Sequence, residues 1–249
     1  MKYKAIMLDL DDTTVPHGKS SVPSERVTQA IGRAKNRIHI CVATARTLVD
    51  TMPILSHLDL SGPCILTNGT QIYDPVTKEI VYEKLLPRES LSDIFEAAKK
   101  NKLRAIQYNG VEDVEYTGDN IQEKILSVYF PEVDRLMIDS IVTEFKKIPN
   151  ITVQKLNAWN KRYMSIDVTD REASKLHGIV EIARILGIET KDIIGVGDGY
   201  NDFPLLMACG LKIAMGNAVP ELKAIADFIA PTVYEDGVAI VLEKFVLTD

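Results

Sequence analysis

The segment Tyr3–Thr14 constrains the fold of this chain more than any other. Its apolar run Ala5–Leu8 is followed at once by the acids Asp9, Asp11 and Asp12. A continuous apolar run of this length is typical of a buried strand in a parallel sheet. The acids then lie beyond the carboxyl end of the strand, where open α/β sheets bind ligands. If the strand continues, Asp9 and Asp11 face the same side, where a cation or a shared proton would relieve their repulsion. The alternative is a solvated acidic turn.

The composition narrows the class of protein. The chain has 249 residues, of which 46% are hydrophobic and 26% charged, as in ordinary soluble globular proteins. The net charge of −6 disfavours binding to nucleic acid or to an anionic membrane. We expect Cys41, Cys64 and Cys209 to be buried free thiols, because they lie in or beside apolar runs without metal-ligand spacing. We also expect no signal peptide, no membrane span and a cytoplasmic location.

The order of predicted elements indicates two domains. Strands and helices alternate over residues 1–85 and again over residues 170–249, as in a parallel α/β sheet. Residues 86–169 contain predicted hairpins around two helices, one of them near Asp134–Lys147, and therefore suggest an antiparallel α+β unit. The fold class is thus α/β, with a parallel-sheet core domain into which a second domain is inserted.

Polar groups follow the predicted strands of the core domain. The set consists of Asp9 and Asp11, then Thr44 with Arg46, then Lys175 at a helix start, and finally Asp198, Asn201 and Asp202. Chemistry on a phosphate ester needs such a set. One carboxylate attacks phosphorus and a second exchanges a proton with the leaving group and with water. Mg²⁺ accepts carboxylate oxygens, and hydroxyl, amide and ammonium groups hold the phosphoryl oxygens.

These residues resemble the haloacid dehalogenase superfamily of phosphatases. Asp9–Thr13 matches the first motif of that superfamily, Asp-x-Asp-x-Thr, and Gly197–Asp202 matches the fourth, Gly-Asp-x-x-Asn-Asp. Thr44 and Lys175 match the second and third motifs. The inserted domain between the second and third motifs is similar to the large α/β cap (type IIB) of the Cof-type subgroup. The resemblance covers essentially the whole chain and implies a Rossmann-like core with an inserted α+β cap.

The resemblance also implies a role for each motif residue. Asp9 would be the nucleophile and a Mg²⁺ ligand, and Asp11 the general acid/base, with its backbone carbonyl also on the metal. Asp198 would be the third metal ligand, and Asp202 would orient metal-bound water or Lys175. The phosphate-binding residues would be Thr44, Ala45, Lys175 and Asn201. Residues that would contribute to substrate specificity are Asn68, Arg46, Trp159 and Arg162.

The chain departs from the subgroup pattern at several positions. The subgroup usually has Gly at position 12 and Leu at position 14, where this chain has Asp12 and Thr14. The usual Thr-Gly-Arg is here Thr-Ala-Arg, with Ala45 in the middle, and Leu176 replaces a Gly that often follows the lysine. None of these changes removes a catalytic group.

Structural alternatives exist for several of these residues. Lys175 could be a solvated lysine at a helix start, and Thr44 a simple helix N-cap. Asp202 could be a carboxylate placed only by the helix dipole. Trp159 and Arg162 lie between two predicted strands of the inserted domain and could pack within the cap or form an exposed turn instead of contacting the substrate.

The sequence thus predicts a Mg²⁺-dependent phosphatase that acts on a small phosphorylated metabolite through an aspartyl-phosphate. We expect a small-molecule partner, no nucleic-acid or membrane partner, and a monomer or homodimer. A phosphomutase of the same superfamily remains open, because it differs only in passing the phosphoryl group to a sugar instead of to water. A receiver-type signalling domain also clusters acids, Thr and Lys at sheet ends, but the inserted domain disfavours it.

Overall fold

The apolar run Ala5–Leu8 forms strand β1 in a computed structural model that describes residues 2–16, 18, 22–158, 160 and 162–248. Every residue of β1 is buried, as expected for the centre of a parallel sheet. The described chain divides into two units, one formed by Met1–Tyr82 with Lys175–Asp249 and the other by Glu83–Ser174. The inserted domain predicted at 86–169 lies inside the bounds of the second unit.

A parallel sheet forms the centre of the first unit. Its other strands are β2 (His39–Val42), β11 (Ile193–Gly197), β12 (Leu211–Ala214) and β13 (Phe228–Ile229). The five strands lie in the order β13-β12-β11-β1-β2, and each neighbouring pair is parallel. The predicted α/β fold class with a parallel core is confirmed.

Amphipathic helices accompany this sheet in the first unit. They are α1 (Glu25–Ala34), α2 (Leu48–Leu58), α5 (Lys175–Leu186), α6 (Phe203–Ala208), α7 (Pro220–Ala224) and α8 (Gly237–Phe245). The predicted cap of α1 is present, because the Ser24 hydroxyl accepts a hydrogen bond from the N–H of Val27 at 3.2 Å. Helix faces and strands together bury one apolar core, to which Ile6, Ile31 and Ile194 belong.

A small antiparallel sheet completes the first unit. It contains β3 (Cys64–Leu66), β4 (Gln71–Asp74) and β5 (Glu79–Glu83), in that order. β3 touches the parallel sheet through a single parallel bridge between Ala43 and Ile65. The loop after β2 is thereby fixed beside the turn that follows β3.

The second unit is built around an antiparallel sheet. It comprises α3 (Arg88–Lys100), β6 (Ile106–Tyr108), β7 (Asp113–Glu115), β8 (Ser127–Asp134), α4 (Ile138–Phe145), β9 (Ile151–Asn157) and β10 (Tyr163–Asp170). The strand order is β7-β6-β8-β10-β9, and each neighbouring pair is antiparallel. The predicted helix start at Asp134 is wrong, because pairing between Asp134 and Tyr163 extends β8 to that residue.

Two further expectations concern the described residues. Cys41, Cys64 and Cys209 are free and buried, as predicted. Within the described ranges, we find no helix with the length and apolar character needed to span a bilayer.

Candidate active site

The register of the parallel sheet aligns the carboxyl ends of β1, β2 and β11. Leu8 at the end of β1 lies opposite Val42 of β2 and Val196 of β11. Asp9 follows Leu8, and its N–H donates to the carbonyl of Val196 at 3.0 Å. Side chains that follow the three strands therefore emerge at one carboxyl edge of the sheet.

Lys175 lies between two carboxylates at this edge. It is the first residue of α5, its side chain is fully buried, and Nζ lies 2.5 Å from Oδ1 of both Asp9 and Asp202. Burial alone would lower the pKa of Lys175, but the charges of Asp202 and Asp9 outweigh burial and raise that pKa above its ordinary value. The alternative of a solvated lysine is wrong.

Asp202 uses both of its carboxylate oxygens within the protein. Oδ1 accepts from Lys175, while Oδ2 accepts from the N–H groups of Asp198 and Gly199, each at 2.9 Å. Gly197 is required beside it, because a Cβ at that position would lie 2.5 Å from the Asp202 Cγ. Asp202 therefore fixes both the lysine and the loop that carries Asp198, and is not merely a carboxylate at a helix start.

Asp198 is buried close to Asp9. Its Oδ1 accepts a hydrogen bond from the Thr13 hydroxyl at 2.8 Å. Burial, followed by the charges of Asp9 and Asp202, raises the pKa of Asp198 well above 3.8. Burial and then the Asp202 charge raise the pKa of Asp9 from 3.8 to about 8, although Lys175 acts in the opposite direction. The site thus concentrates more negative charge than one lysine neutralises.

The donor atoms of the site fit a hard divalent cation. Carboxylate oxygens of Asp9, Asp198 and Asp202 lie within 4.8 Å of one another. Oxygen-only ligands in such a cluster suit Mg²⁺, and a cation would stabilise the ionised form of the crowded acids. Because Asp202 already accepts three hydrogen bonds from N–H groups, Asp9 and Asp198 are the carboxylates best able to hold the ion.

Thr44 follows β2 and lies beside the turn after β3. Its N–H donates to the carbonyl of Ile65 at 2.9 Å, and its own carbonyl accepts from the N–H of Asn68 at 3.0 Å. The Thr44 hydroxyl accepts from the N–H of Arg46 at 3.1 Å. The alternative that Thr44 only caps a helix is wrong, because Thr47 is the N-cap of α2.

Asn68 and Asn201 meet across the site. The Asn201 amide nitrogen donates to the Asn68 side-chain oxygen at 3.2 Å. Asn68 is fully buried and adopts φ 54°, and the preceding Thr67 adopts φ 44°, a conformation that is unfavourable for a β-branched residue. This strained turn connects the Thr44 loop with the loop that carries Asn201.

Asp11 is more exposed than the three buried acids and does not belong to their cluster. β1 ends at Leu8, so the condition under which Asp9 and Asp11 would face the same side is not met. The Asp11 carboxylate forms an ion pair with Arg46, whose nitrogen–oxygen separations are 2.6 and 2.9 Å, and about one third of its side chain is exposed. The sequence placed both residues at the site but did not predict that they form a pair.

The departures from the subgroup pattern have structural consequences. Asp12, where Gly is usual, adopts φ 57°, which Asp tolerates better than most residues. Its carbonyl accepts a hydrogen bond from the Asn217 side chain at 2.7 Å. Thr14 donates to the Asp9 carbonyl at 2.6 Å, and Ala45 is half-buried in the loop after β2.

Sequence reasoning missed Thr13 as a contact of Asp198. The signal was present, because Thr13 is the last residue of the Asp-x-Asp-x-Thr pattern. Asn217, which also accepts from the N–H of Val233, carried no comparable sequence signal.

Two of the candidate specificity residues, Trp159 and Arg162, come from the inserted domain. Trp159 is outside the described residues. Arg162 is exposed just before β10, and its guanidinium lies 5.5 Å from the ring centre of Tyr163.

The sequence is similar to a known family and to individual phosphatases. The family profile described as haloacid dehalogenase-like hydrolase matches residues 6–132 and 110–242. A 5-amino-6-(5-phospho-D-ribitylamino)uracil phosphatase, YcsE of Bacillus subtilis, is 26% identical over 247 residues, covering 98% of this chain and 96% of its own. Phosphatase YwpJ of Bacillus subtilis is 28% identical over 279 residues, covering 95% and 97%.

A solved structure extends the similarity to the whole fold. A sugar phosphatase of haloacid dehalogenase subclass IIB superposes with a TM-score of 0.82 at 19% identity, covering 98% of this chain and all of its own. The predicted resemblance is confirmed, and the chain belongs to the haloacid dehalogenase-like hydrolases.

Proposed function

We propose that this enzyme is a Mg²⁺-dependent phosphatase that hydrolyses a small phosphorylated metabolite through a phosphorylated Asp9. The observation that carries the proposal is the buried group in which Lys175 joins Asp9 to Asp202 while Asp198 lies alongside. The substrate class is a phosphate monoester of a sugar or polyol. The names of YcsE and of the subclass IIB sugar phosphatase support this class.

In the first half-reaction, a carboxylate oxygen of Asp9 attacks phosphorus and the ester P–O bond breaks. Lys175 fixes the other oxygen and neutralises part of the charge that accumulates in the transition state. Thr44 and Asn201 would hold phosphoryl oxygens, and Asp11 would protonate the departing alkoxide.

In the second half-reaction, water attacks the phosphorus of the aspartyl-phosphate. Asp11, now ionised, takes a proton from that water, and the Asp9 carboxylate is regenerated as inorganic phosphate leaves. Asp202 keeps Lys175 in place throughout, because its two oxygens are bonded to the lysine and to the backbone.

Asp9 and Asp198 would hold Mg²⁺, together with the backbone carbonyl of Asp11. When bound, the ion screens the repulsion between the attacking carboxylate and the phosphate dianion.

A panel of sugar, polyol and small acid phosphates tests this function. We expect Mg²⁺-dependent release of inorganic phosphate that EDTA abolishes, and a loss of at least about a thousandfold in kcat for Asp9→Asn. The matched control is Asp139→Asn, which changes an exposed carboxylate of α4 and should leave kcat unaltered. Isomerised sugar phosphate without free phosphate would instead establish a phosphomutase, and full activity in Asp9→Asn would contradict the mechanism.

A further inference from the structure

Arg46 holds Asp11 with a two-point contact. Its Nε donates to Oδ2 of Asp11 at 2.9 Å, and its Nη2 donates to Oδ1 at 2.6 Å. A third bond runs from Nη2 to the carbonyl of Gly18 at 3.3 Å. The Arg46 side chain is only 8% exposed, so this is a partly buried, forked ion pair and not a solvated surface contact.

The pair conflicts with the role of Asp11 in the proposed function. A general acid/base must offer one oxygen to the leaving group and later to water. Both oxygens of Asp11 are occupied by guanidinium N–H groups. Each oxygen keeps a second lone pair, but a protonated Asp11 would have to turn one oxygen into a donor toward the leaving group, and the fork opposes that change until Arg46 releases this oxygen.

The backbone of Arg46 belongs to the predicted phosphate-binding loop. Its N–H donates to the Thr44 hydroxyl at 3.1 Å, and its carbonyl accepts from the N–H of Thr67 at 3.0 Å. These bonds hold the main chain of Arg46 in the same loop as Thr44, so an exchange of partner would involve its long side chain. Phosphate and carboxylate oxygens both suit the forked donors of Arg, so an entering phosphate competes with Asp11 for the same groups.

The charge on Asp9 also acts on Arg46. Hydrogen bonds to Asp11 are the largest cause of a raised pKa of Arg46, and the charges of Asp50 and Asp9 contribute in the same direction. The guanidinium is thus within electrostatic range of the carboxylate that attacks phosphorus.

We propose that Arg46 exchanges Asp11 for the substrate phosphate, so that substrate entry releases the general acid/base. Without substrate, the fork holds both oxygens of Asp11 against Arg46. When a phosphate group enters beside Thr44 and Lys175, the guanidinium N–H groups transfer to phosphoryl oxygens and Asp11 becomes free. Only hydrogen bonds are exchanged, and no proton or electron is transferred. The inference rests on the proposed function, since it assigns the phosphate to that same site.

Binding of inorganic phosphate tests the exchange without any turnover. Equilibrium dialysis with radiolabelled phosphate and Mg²⁺ would compare the full-length wild type with Arg46→Ala, Asp11→Asn and the double variant. We expect Arg46→Ala to weaken phosphate binding by about tenfold or more, because a charged hydrogen-bond donor is lost. The control Arg184→Ala removes an exposed arginine that pairs with Glu181 on α5, and should bind phosphate as the wild type does.

The double variant separates exchange from simple charge repulsion. Asp11→Asn should tighten phosphate binding about fivefold more in the wild-type background than in the Arg46→Ala background. The reason is that loss of the Asp11 charge releases the guanidinium of Arg46 for phosphate only where Arg46 is present. An equal effect of Asp11→Asn in both backgrounds would overturn the exchange, as would wild-type phosphate affinity in Arg46→Ala.

Steady-state kinetics distinguish exchange from a purely positioning role. We expect Arg46→Ala to raise KM about equally for p-nitrophenyl phosphate and for an alkyl phosphate. An unchanged KM, with a loss of kcat confined to the alkyl ester, would show that Arg46 only positions Asp11 and would overturn the exchange.

If Arg46→Ala does not fold, Arg46→Lys serves instead, since it keeps the charge but loses the fork, and should weaken phosphate binding to a smaller extent. If the enzyme hydrolyses no ester of the panel but the wild type and the three variants bind phosphate as expected here, the result contradicts the proposed function and not the exchange.

Discussion

At the scale of single residues, Lys175 determines the charge balance of the site. Its ammonium group is fully buried and contacts two carboxylates, of which Asp202 also accepts from the N–H groups of Asp198 and Gly199. Removal of one member of a buried ionic group leaves the others without compensation, which is far more destabilising than loss of an exposed pair.

We therefore predict that Lys175→Met lowers the free energy of unfolding by about 3–5 kcal/mol in EDTA. Lys191→Met removes an exposed lysine that pairs with Glu189, and should leave the free energy of unfolding nearly unchanged. Urea denaturation followed by circular dichroism measures both changes. Equal effects of the two variants would show that the buried arrangement is not maintained in solution.

The acids beside Lys175 predict a pH dependence of metal binding. Asp9, with a pKa near 8, is largely protonated at neutral pH without a cation, and Asp198 is shifted in the same direction. Because Mg²⁺ requires the ionised oxygens, its binding should release protons, and its affinity should rise by up to about tenfold per pH unit for each proton displaced.

The raised pKa of Asp9 should also make the stability of the fold depend on pH. A carboxyl whose pKa is raised from 3.8 to about 8 on folding contributes stability below pH 3.8 that is lost as the pH rises through 8. The increase in Tm on addition of Mg²⁺ should accordingly be larger at pH 8 than at pH 6. Calorimetry in two buffers of different ionisation enthalpy counts the protons, and binding without proton release at pH 7 would contradict the prediction.

At the scale of elements, α5 and the strand-end loops determine where the side chains of the candidate site lie. Lys175 is the first residue of α5, and Gly178 of the same helix lies against β3. A Cβ at Gly178 would come 2.7 Å from Cδ1 of Ile65. The close contact between α5 and β3 thus fixes the position of Lys175 relative to the other residues of the site.

Gly178→Ala should therefore destabilise the protein by about 1–3 kcal/mol through overpacking, and lower kcat by displacing Lys175. Gly32→Ala is the matched control within α1, where no atom lies within 4 Å of the added Cβ. It should stabilise the protein by about 0.5–1 kcal/mol. Chemical denaturation of both variants measures the contrast, and a neutral Gly178→Ala would contradict the inferred contact.

The sequence predicted elements better than it predicted contacts. Apolar runs such as Ala5–Leu8 identify buried strands because their environment is apolar on both faces. The helix predicted near Asp134–Lys147 is present as α4, but it begins later than predicted because strand pairing, which is not local in sequence, extends β8 to Asp134. The Arg46–Asp11 pair depends on the path of two loops, and neither a local pattern nor a motif records that path.

At the scale of the whole molecule, the buried acids Asp9, Asp198 and Asp202 and the lysine Lys175 all belong to the first unit. The second unit, Glu83–Ser174, has its own sheet and helices. A ligand stabilises the part of a protein that forms its binding site, since its binding energy is lost when that part unfolds.

Hydrogen exchange on addition of Mg²⁺ should reflect this division. Amides in segments 8–14 and 197–202 should exchange several-fold more slowly with Mg²⁺, whereas amides of residues 83–174 should change less. Mass spectrometry of peptic peptides measures the difference. Protection centred on the second unit would place the metal site elsewhere.

Detection of a phosphorylated Asp9 tests most directly whether these separated segments form a phosphoryl-transfer site. The wild-type enzyme would be mixed with Mg²⁺ and a substrate from the panel, quenched in acid within milliseconds, and digested for mass spectrometry. We expect one phosphoryl group on the peptide that contains Asp9, formed before the steady state and absent in Asp9→Asn. Steady release of phosphate with no phosphorylated peptide, or with the phosphoryl group on another residue, would contradict the mechanism.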